Sequence, residues 1–452
     1  MGRLFGTDGA RGIANTELSC ELALQIGRAL AMTLDIPIKN SRPQFLIGQD
    51  TRASSPMLAN ALAAGLNSAG ADVILVGVVP TPAVAQLIPR WGCHGGAMVS
   101  ASHNPCEFNG IKLFRALGSK LSDQAEEAIE NTILQATDLS PIVIGGDIGR
   151  CMAGESAITD YLRHLRSTVP ATLSSALRAQ GMAKIALDCS NGSASITAPR
   201  LFSDLGFAYD LLSANPDGVN INANCGSTHM EQLQEHVRAR SEIAAGFAFD
   251  GDADRLLAVD ENGELVDGDK IIAICARQMK LDAVVVTVMT NMGFHVFCDK
   301  HGIAREITTV GDRYVLERML EKDIGLGGEQ SGHIIFSEYA STGDGQLTAL
   351  QLLEVVRRSG KSLGELAADI EVFPQVMVNV QVSKLGKLRC ESDPEIRLSV
   401  ARAEAELGAQ GRVLVRVSGT EPLIRIMLEG RDAARIQVLA NEIAAVVRER
   451  LI

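Results

Sequence analysis

The sequence predicts an α/β protein of several domains, with mixed or parallel sheets and a separate α+β domain at its C-terminal end. The chain has 452 residues, and at roughly 100–200 residues per domain this length predicts three or four domains. Strand-like runs alternate with helix-like stretches, as in QFLIG, MLANALAAGLNSAG and DVILVG, which is typical of βαβ units. After Pro374, the strand-like runs QVMVNVQV, RVLVRV and LIRIMLEG precede a final amphipathic helix.

The composition is that of a globular protein, with 46% hydrophobic and 21% charged residues. No stretch approaches the roughly 20 apolar residues of a membrane helix, and the N-terminus lacks the apolar core of a secretory signal, so we expect a cytoplasmic protein. The nine cysteines are scattered without a C-x-x-C pair, which indicates neither a disulfide framework nor a zinc site. A formal charge of −12 argues against general affinity for nucleic acid.

Four times along the chain, a short apolar run enters a polar loop and another apolar run leaves it. The segments are GAMVSASHNPCEFNGIKLF, AAGFAFDGDADRLLAV, IGLGGEQSGHIIF and VLVRVSGTEPLIRIML. About one such loop per expected domain predicts a shared cleft, where ligand sites often form. Four unrelated hairpins are the alternative interpretation.

The segment DGDADR places the carboxylates of Asp250, Asp252 and Asp254 at alternate positions. On an extended segment these lie on one face, and like charges about 4 Å apart repel by about 4 kcal/mol at an effective dielectric constant of 20. Such a triplet favours a bound cation. Arg255 stands where a calcium-binding EF-hand loop requires glycine, whereas three oxygens with room for a further ligand suit Mg²⁺. A solvated acidic turn is the alternative.

Ser102 lies in VSASHNPCEFNGIKLF, between two apolar runs. The segment lacks the G-x-S-x-G motif of serine hydrolases, so nothing in it supports an acyl nucleophile. A lone loop serine usually forms a turn. Its neighbours favour chemistry instead, because His103 and Lys112 can position or transfer protons and a magnesium ion can stabilise charge on phosphoryl oxygens.

The segment RVSGTEPLIRI surrounds Ser418, Gly419 and Thr420 with Arg416 and Arg425. A glycine-containing turn can point backbone N–H groups inward, hydroxyls add donors, and arginine forks match phosphate oxygens two at a time. The segment therefore predicts an anion-binding loop. A β-turn flanked by surface arginines is the alternative.

A fourth segment, GGEQSGH, carries Glu329, Gln330, Ser331 and His333 on a glycine-rich turn. Adjacent acceptors and hydroxyl donors suit the hydroxyls of a sugar, and an ordinary satisfied turn is an equal explanation. Near the N-terminus, Arg11 lies in FGTDGARG, where a surface salt bridge would account for it equally well.

In this order, SASHNP with NGIKLF, DGDADR, GEQSGH and SGTEPLIR resemble the motifs of the α-D-phosphohexomutase superfamily. The motifs span the whole chain, and four of them in order are highly specific for the superfamily. Two further features, RLFGTDGARG near the N-terminus and Gln330 within GEQSG, are most similar to the bacterial branch that acts on glucosamine phosphates.

The resemblance implies four domains around a central cleft, three of related α/β topology and a smaller α+β domain at the C-terminal end. We expect residues 1–153 to contain the phosphoserine loop, 154–256 the metal site, 257–371 the sugar site and 372–452 the phosphate site. The superfamily also suggests a homodimer, which no motif here demonstrates.

The resemblance further implies the reaction. Ser102 would carry a phosphoryl group, donate it to glucosamine 6-phosphate and take the other phosphoryl group back from the resulting 1,6-bisphosphate. Glucosamine 1-phosphate would then leave for the synthesis of UDP-N-acetylglucosamine. Asp250, Asp252 and Asp254, with an oxygen of the phosphoserine, would hold one Mg²⁺ per subunit.

Roles for the other site residues follow from the same resemblance. Arg255 would add a cation near the transferred group, and either Lys112 or His333 would accept the proton of the sugar hydroxyl. A phosphomannomutase/phosphoglucomutase is the near alternative; a metal-dependent sugar phosphatase and a non-catalytic sugar-phosphate sensor are more distant ones. The residues expected to bind the substrate are Arg11, His103, Glu329, Ser331, Arg416, Ser418, Gly419, Thr420 and Arg425.

Overall fold

The computed structural model describes residues 4–6, 8–33, 42–135, 143–182, 184–417 and 423–452, with the backbone alone for Lys384 and Ala409. The chain divides into two compact units. The larger unit comprises Gly2–Met289 with Gly302–Ala368, and the smaller comprises Thr290–His301 with Asp369–Ile452.

The first sheet of the larger unit is mixed. Its strands are β1 (Phe5–Gly6), β2 (Gly9–Ile13), β3 (Gln44–Gln49), β4 (Asp72–Val78), β5 (Gly95–Val99), β6 (Phe108–Arg115) and β7 (Cys151–Ala153). Its helices are α1 (Cys20–Thr33), α2 (Ser55–Ser68), α3 (Thr81–Arg90) and α4 (Asp123–Leu134). The strand order is β1-β2-β6-β5-β3-β4-β7. Strand β3 pairs in parallel with β4 and β5, whereas β6 pairs antiparallel with β5 and β2.

The second sheet has the order β12-β11-β10-β8-β9. The strands are β8 (Lys184–Asp188), β9 (Tyr209–Leu212), β10 (Ile243–Phe249), β11 (Leu256–Val259) and β12 (Leu265–Val266), and the helices are α5 (Ala157–Ser167), α6 (Leu173–Ala179), α7 (Ala194–Asp204) and α8 (Glu231–Arg238). Strand β8 pairs in parallel with β9 and β10, and β11 pairs antiparallel with β10 and β12. This sheet is therefore mixed as well.

The third sheet of the larger unit has the order β14-β13-β15-β16. The strands are β13 (Ala283–Thr287), β14 (Ala304–Thr308), β15 (Leu326–Gly328) and β16 (Ile334–Phe336), and the helices are α9 (Gly268–Gln278), α11 (Asp312–Lys322), α12 (Gly345–Ser359) and α13 (Leu363–Ala367). Only the last pair, β15 with β16, is antiparallel among the described strand pairs of this sheet.

The smaller unit packs helices on a three-stranded antiparallel sheet of order β17-β19-β18. Its strands are β17 (Gln375–Gln381), β18 (Gly411–Val417) and β19 (Leu423–Gly430), and its helices are α10 (Met292–His301), α14 (Lys384–Arg389), α15 (Pro394–Leu407) and α16 (Ala433–Leu451). The core is apolar: Ile424 and Ile426 of β19 are buried in one cluster with Leu439 and Ile443 of α16.

Each polar loop that the sequence singled out joins two antiparallel neighbours of one sheet. Ser102 lies between β5 and β6, Asp250 between β10 and β11, and Glu329 between β15 and β16. In the smaller unit, β18 and β19 pair in the same way. The pattern of a polar loop between apolar runs therefore marks one antiparallel turn in each of the three sheets of the larger unit, whereas residues 418–422, between β18 and β19, lie outside the described residues.

The predicted fold class is confirmed, because mixed α/β sheets are followed by an α+β C-terminal part. The strand-like runs after Pro374 correspond to β17, β18 and β19, and the predicted last helix to α16. Among the residues that the structure describes, no helix is both long enough and apolar enough to cross a membrane.

Candidate active site

Ser102 is fully buried in the loop after β5 and has a backbone conformation that serine seldom adopts. Its φ is +52°, in the left-handed region, which costs a residue with a Cβ about 1–2 kcal/mol. Ser102 Oγ donates a hydrogen bond of 2.6 Å to Asp250 Oδ2 and lies 3.3 Å from His103 Nδ1. The hydroxyl therefore points at the acidic turn that follows β10.

The acidic turn, Asp250 to Asp254, is not extended, so the prediction that its carboxylates share one face of an extended segment is wrong. Ala253 has a φ of +55°, and its N–H donates to the Asp250 carbonyl at 3.1 Å, which closes a tight turn. One oxygen from each of Asp250, Asp252 and Asp254 still lies within 4.8 Å of the others. The carboxylates meet because the chain reverses, not because a strand is pleated.

Burial and neighbouring charges act differently on two of these carboxylates. Burial, followed by the charges of Asp254 and Asp252, raises the pKa of Asp250 well above its usual value. Burial would also raise the pKa of Asp254, but the charges of Lys112 and His333 outweigh it and hold that pKa well below its usual value. The turn thus carries concentrated negative charge in a buried place.

The acidic turn could hold a divalent cation. Oδ1 of Asp252 and Oδ1 of Asp254 are buried and make no hydrogen bond to any residue that the structure describes. An unsatisfied buried acceptor costs about 1–3 kcal/mol, and more when it is charged. Carboxylate oxygens are also the ligands that Mg²⁺ prefers. The residues present therefore fit such an ion.

Lys112, on β6, inserts a buried ammonium group among these carboxylates. Its Nζ lies 2.7 Å from Asp252 Oδ2, 3.1 Å from Asp254 Oδ2 and 3.3 Å from Asp8 Oδ2. Burial would lower the pKa of Lys112, but the three carboxylates outweigh it and raise that pKa well above its usual value. Lys112 is therefore a cation in this arrangement.

His333, at the end of the turn before β16, is also buried against carboxylates. Its Nδ1 lies 3.7 Å from Asp254 Oδ2 and its Nε2 lies 3.3 Å from Asp312 Oδ2. The Gly343 N–H donates to Nε2 at 2.8 Å, which favours a tautomer with the proton on Nδ1. Burial would lower the pKa of His333, but Asp312 and Asp254 raise it.

Three partly buried charged residues that the sequence analysis did not identify complete a network of ion pairs. Lys120 Nζ lies 2.6 Å from Asp312 Oδ2 and forms a second ion pair with Asp8. Since Asp8 also contacts Lys112, and Asp312 contacts His333, the network joins the two predicted proton acceptors. Asp8 lies in FGTDGARG, the segment already noted for Arg11, so the sequence offered this carboxylate as a candidate site residue.

Arg11 and Arg255 place two guanidinium groups near His103. Arg255 Nε lies 4.0 Å from Asp250 Oδ2. Burial, followed by the charges of Arg255 and Arg11, lowers the pKa of His103 to about 4, so His103 is neutral near pH 7. The surroundings of Ser102 Oγ therefore combine a neutral imidazole with two fixed cations, an arrangement suited to anionic oxygens.

The turn between β15 and β16 presents Glu329 and Ser331. Glu329 Oε1 accepts a hydrogen bond of 3.0 Å from the Gly311 N–H, and its charge acts on Arg255. Ser331 is exposed, and its Oγ lies 3.5 Å from Glu329 Oε2. A hydroxyl and a carboxylate are thus accessible near the cationic side of the site.

Arg416 and Arg425 face each other on neighbouring strands of the smaller unit. They are partners in the antiparallel pairing of β18 with β19, so their side chains lie on one face of the sheet. Burial, followed by the charge of Arg425, lowers the pKa of Arg416. An anion bound between them would relieve this repulsion. Ser418, Gly419 and Thr420 lie outside the described residues.

Family models match the chain in four successive segments. Their descriptions are phosphoglucomutase/phosphomannomutase α/β/α domain I for residues 2–140, domain II for 159–263, domain III for 267–373 and the C-terminal domain for 377–446.

Individual proteins also match over nearly the whole chain. A protein of Caldicellulosiruptor saccharolyticus named phosphoglucosamine mutase is 50% identical over 458 residues, covering 100% of both chains. A phosphoglucomutase/phosphomannomutase family protein from Burkholderia thailandensis has a similar solved structure, with a TM-score of 0.79, 23% identity and coverage of 100% of this chain and 99% of its own. For Aspergillus fumigatus N-acetylphosphoglucosamine mutase in complex with GlcNAc-6P and magnesium, the TM-score is 0.62 at 19% identity, with coverage of 95% and 99%. Both of these solved structures share the fold of this chain.

Proposed function

The chain belongs to the phosphoglucomutase/phosphomannomutase family, and from this premise we propose that it interconverts glucosamine 6-phosphate and glucosamine 1-phosphate, the activity of a phosphoglucosamine mutase. The observation that carries the proposal is the buried hydrogen bond of 2.6 Å between Ser102 Oγ and Asp250 Oδ2, next to a turn that fits a divalent cation. The choice of an amino sugar is supported by the relative of that name, which is 50% identical over its full length.

In the proposed cycle, Ser102 starts as a phosphoserine. The bond between phosphorus and Ser102 Oγ breaks as the C1 hydroxyl oxygen of glucosamine 6-phosphate binds the phosphorus, and the hydroxyl proton passes to a base on the protein. The resulting 1,6-bisphosphate turns around, Ser102 Oγ takes the phosphoryl group from C6, and the C6 oxygen regains a proton. Glucosamine 1-phosphate leaves, the phosphoserine is restored and no phosphate is consumed.

Phosphoryl transfer of this kind has a loose transition state and depends on positioning and charge stabilisation. Arg255 and Arg11 supply fixed positive charge beside His103 and Ser102. Glu329 and Ser331 would bind hydroxyl groups of the sugar ring in both of its orientations. The side chains therefore bind and orient the substrate on either side of the transferred group.

We propose that the metal is one Mg²⁺ per subunit, held by Asp250, Asp252, Asp254 and an oxygen of phosphorylated Ser102. When bound, the ion would neutralise charge on the phosphoryl oxygens. The unsatisfied oxygens of Asp252 and Asp254 support this assignment, as does the magnesium in the complex of the Aspergillus fumigatus protein.

Lys112 and His333 are the two candidates for the base that receives the sugar proton. The raised pKa of Lys112 counts against it, because a protonated ammonium group has no free electron pair with which to accept a proton. Removal of a general base lowers kcat by about 10²–10⁴-fold. We therefore propose to compare Lys112→Met with His333→Gln at saturating substrate. The base is the residue whose loss lowers kcat on this scale and abolishes the fall of kcat at low pH, whereas a residue that only binds substrate should mainly raise KM.

The arginine pair of the smaller unit would bind the phosphate group that is not transferred, together with Ser418, Gly419 and Thr420. Arg425→Lys keeps the charge but loses the planar fork that grips phosphate. Loss of a charge-assisted hydrogen bond, about 1.5–3 kcal/mol, should raise KM by roughly 10–100-fold and let more 1,6-bisphosphate escape. Steady-state kinetics with an enzymatic trap for the released bisphosphate would measure both effects.

Arg397→Lys provides the matched control for this prediction, because Arg397 is an exposed arginine on α15 of the same unit. It should behave as wild type in both assays. If Arg425→Lys also has an unchanged KM and releases no extra bisphosphate, Arg425 does not bind the phosphate.

A substrate panel tests the proposed function itself. Phosphorylated wild-type enzyme should turn over glucosamine 6-phosphate with a higher kcat/KM than the phosphates of glucose and mannose. Phosphorus NMR would follow the conversion of each substrate. Preference for glucose or mannose phosphates would instead support a phosphomannomutase/phosphoglucomutase. Steady release of inorganic phosphate would indicate a phosphatase.

We also propose that the enzyme is a homodimer in the cytoplasm, with domain boundaries after residues 153 and 371. The expected boundary after residue 256 moves to Val266, because β11 and β12 pair within the second sheet. All nine cysteines are free thiols, which suits a reducing compartment. Sedimentation equilibrium would give the subunit number, and limited proteolysis would locate the boundaries.

A further inference from the structure

The loop that carries Ser102 is hydrogen-bonded to a fully buried ion pair. Asp50 and Arg52 follow β3, and Arg52 Nε lies 2.9 Å from Asp50 Oδ2, with both side chains 0% exposed. A buried ion pair is expensive to desolvate and is weak evidence of a stabilising role. The role of this pair is therefore indicated by the groups to which the Arg52 guanidinium donates its other hydrogen bonds.

Those hydrogen bonds go to the serine loop. Arg52 Nη2 donates to the Ser102 carbonyl at 3.0 Å and to the Asn104 carbonyl at 2.8 Å, and Nη1 donates to the Pro105 carbonyl. The guanidinium group thus binds three carbonyl oxygens within four residues. Each bond is charge-assisted and so stronger than one between neutral groups.

Ser100 connects the same carboxylate to the other side of Ser102. Ser100 Oγ accepts the Ser102 N–H at 2.9 Å and donates to Asp50 Oδ2 at 2.7 Å. Asp50 Oδ2 therefore fixes the N–H of Ser102 through Ser100 and its carbonyl through Arg52. Asn222, which lies between β9 and β10 of the second sheet, also donates from Nδ2 to the Ser102 carbonyl at 2.9 Å.

We propose that Asp50, Arg52 and Ser100, here called the Asp50 cluster, are positioning residues that hold the backbone of Ser102 in its left-handed conformation so that Oγ keeps one position in both phosphoryl transfers. This inference rests on the proposed function. The φ of +52° is disfavoured by about 1–2 kcal/mol, and such a conformation persists only where the surroundings over-determine it. Two clamped peptide groups provide that constraint.

The proposed reaction requires an oxygen that does not move. Ser102 Oγ donates a phosphoryl group to one end of the sugar and later accepts one from the other end, so both steps use the same point in the site. Misplacement of a reacting group by about 1 Å can lower a rate by about 100-fold. The Asp50 cluster should therefore act on kcat and leave substrate binding unchanged.

Ser100→Ala tests this inference, and Ser55→Ala is its matched control. Both serines are buried and donate to Asp50, but Ser55 Oγ bonds to Oδ1 at 2.6 Å and accepts from Asn109 Nδ2 at 3.0 Å, without a bond to Ser102. Each variant removes one hydroxyl and its two hydrogen bonds. Their losses of thermal stability should therefore be similar.

We expect Ser100→Ala to lower kcat by about 10–100-fold and to leave KM within about 2-fold, whereas Ser55→Ala keeps kcat within about 3-fold. Amide hydrogen exchange adds a readout that needs no substrate: the Ser102 amide should lose protection in Ser100→Ala and keep it in Ser55→Ala. Asp50→Asn should reproduce the effect on kcat if it folds, but Ser100→Ala alone decides the test.

Equal kcat in Ser100→Ala and Ser55→Ala would overturn the inference, as would unchanged exchange at Ser102 in Ser100→Ala. Failure of the proposed function has a different signature, because wild type itself would then not turn over glucosamine 6-phosphate. In that case the exchange measurement decides whether the Asp50 cluster holds the Ser102 backbone.

Discussion

Replacement of Ser102 by alanine is expected to lower turnover of glucosamine 6-phosphate by on the order of 10⁴–10⁶-fold, the scale seen when a catalytic serine nucleophile or its partner is removed. Alanine has no oxygen to carry the phosphoryl group. The fold should persist, because a smaller residue enters a buried position and loses chiefly one hydrogen bond to Asp250. Intact-mass analysis should find one phosphoryl group on active wild type, mapped to Ser102, and none on the variant.

Ser190→Ala is the matched control for this result. Ser190 is also fully buried, has a left-handed φ of +51° and uses its hydroxyl to donate to the Cys189 carbonyl at 2.7 Å. The Ser190→Ala variant should match Ser102→Ala in stability but keep the turnover of wild type. Full activity in Ser102→Ala would show that another group carries the phosphoryl group.

Asp252→Asn is expected to weaken Mg²⁺ binding and to lower kcat strongly. The amide keeps the shape of the side chain but removes one charge from a cluster whose oxygens lie within 4.8 Å. Loss of an outer contact to a metal site already lowers affinity by about 10–100-fold, so loss of a ligand should lower it at least as much. Calorimetric titration with Mg²⁺ measures the affinity, and excess chelator should abolish wild-type turnover reversibly.

Asp260→Asn separates this effect from a general loss of buried charge. Asp260 is 5% exposed and lies in the turn after β11, where its Oδ1 accepts the Asn262 and Glu264 N–H groups. This variant should lose stability and keep its affinity for Mg²⁺. Undiminished wild-type turnover in excess chelator would mean that the acidic turn is structural.

The turns that carry the candidate site were predictable because their signals are local. A polar loop with an apolar run on each side is visible among neighbouring residues, and it marked the turns at Ser102, Asp250 and Glu329. The shape of the acidic turn was not predictable, because alternate carboxylates fit both an extended and a reversed chain. The chain there passes close to the serine loop: a Cβ on Gly251 would lie 2.6 Å from the Ser102 carbonyl oxygen.

The ion-pair network of Asp8, Lys120 and Asp312 and the Asp50 cluster were missed for a different reason. Lys120 follows β6 of the first sheet and Asp312 begins α11 of the third sheet's part of the chain. Nothing in the residues around either one indicates the other. In the sequence, Arg52 looks like an ordinary charged residue that follows a strand. In the folded chain it is only 1% exposed. Contacts between distant segments depend on packing, so a single sequence shows the chemical groups and leaves their partners open.

Following one labelled phosphoryl group from Ser102 would decide whether the phosphoserine is the donor. Wild type labelled with radioactive phosphate by a hexose 1,6-bisphosphate, then desalted, would be mixed with unlabelled glucosamine 6-phosphate and quenched within a single turnover. We expect the label to leave Ser102 at a rate no slower than kcat and to appear first in the 1,6-bisphosphate and then in glucosamine 1-phosphate. Label that stays on Ser102 during turnover, or that leaves as inorganic phosphate, would contradict the proposed mutase mechanism.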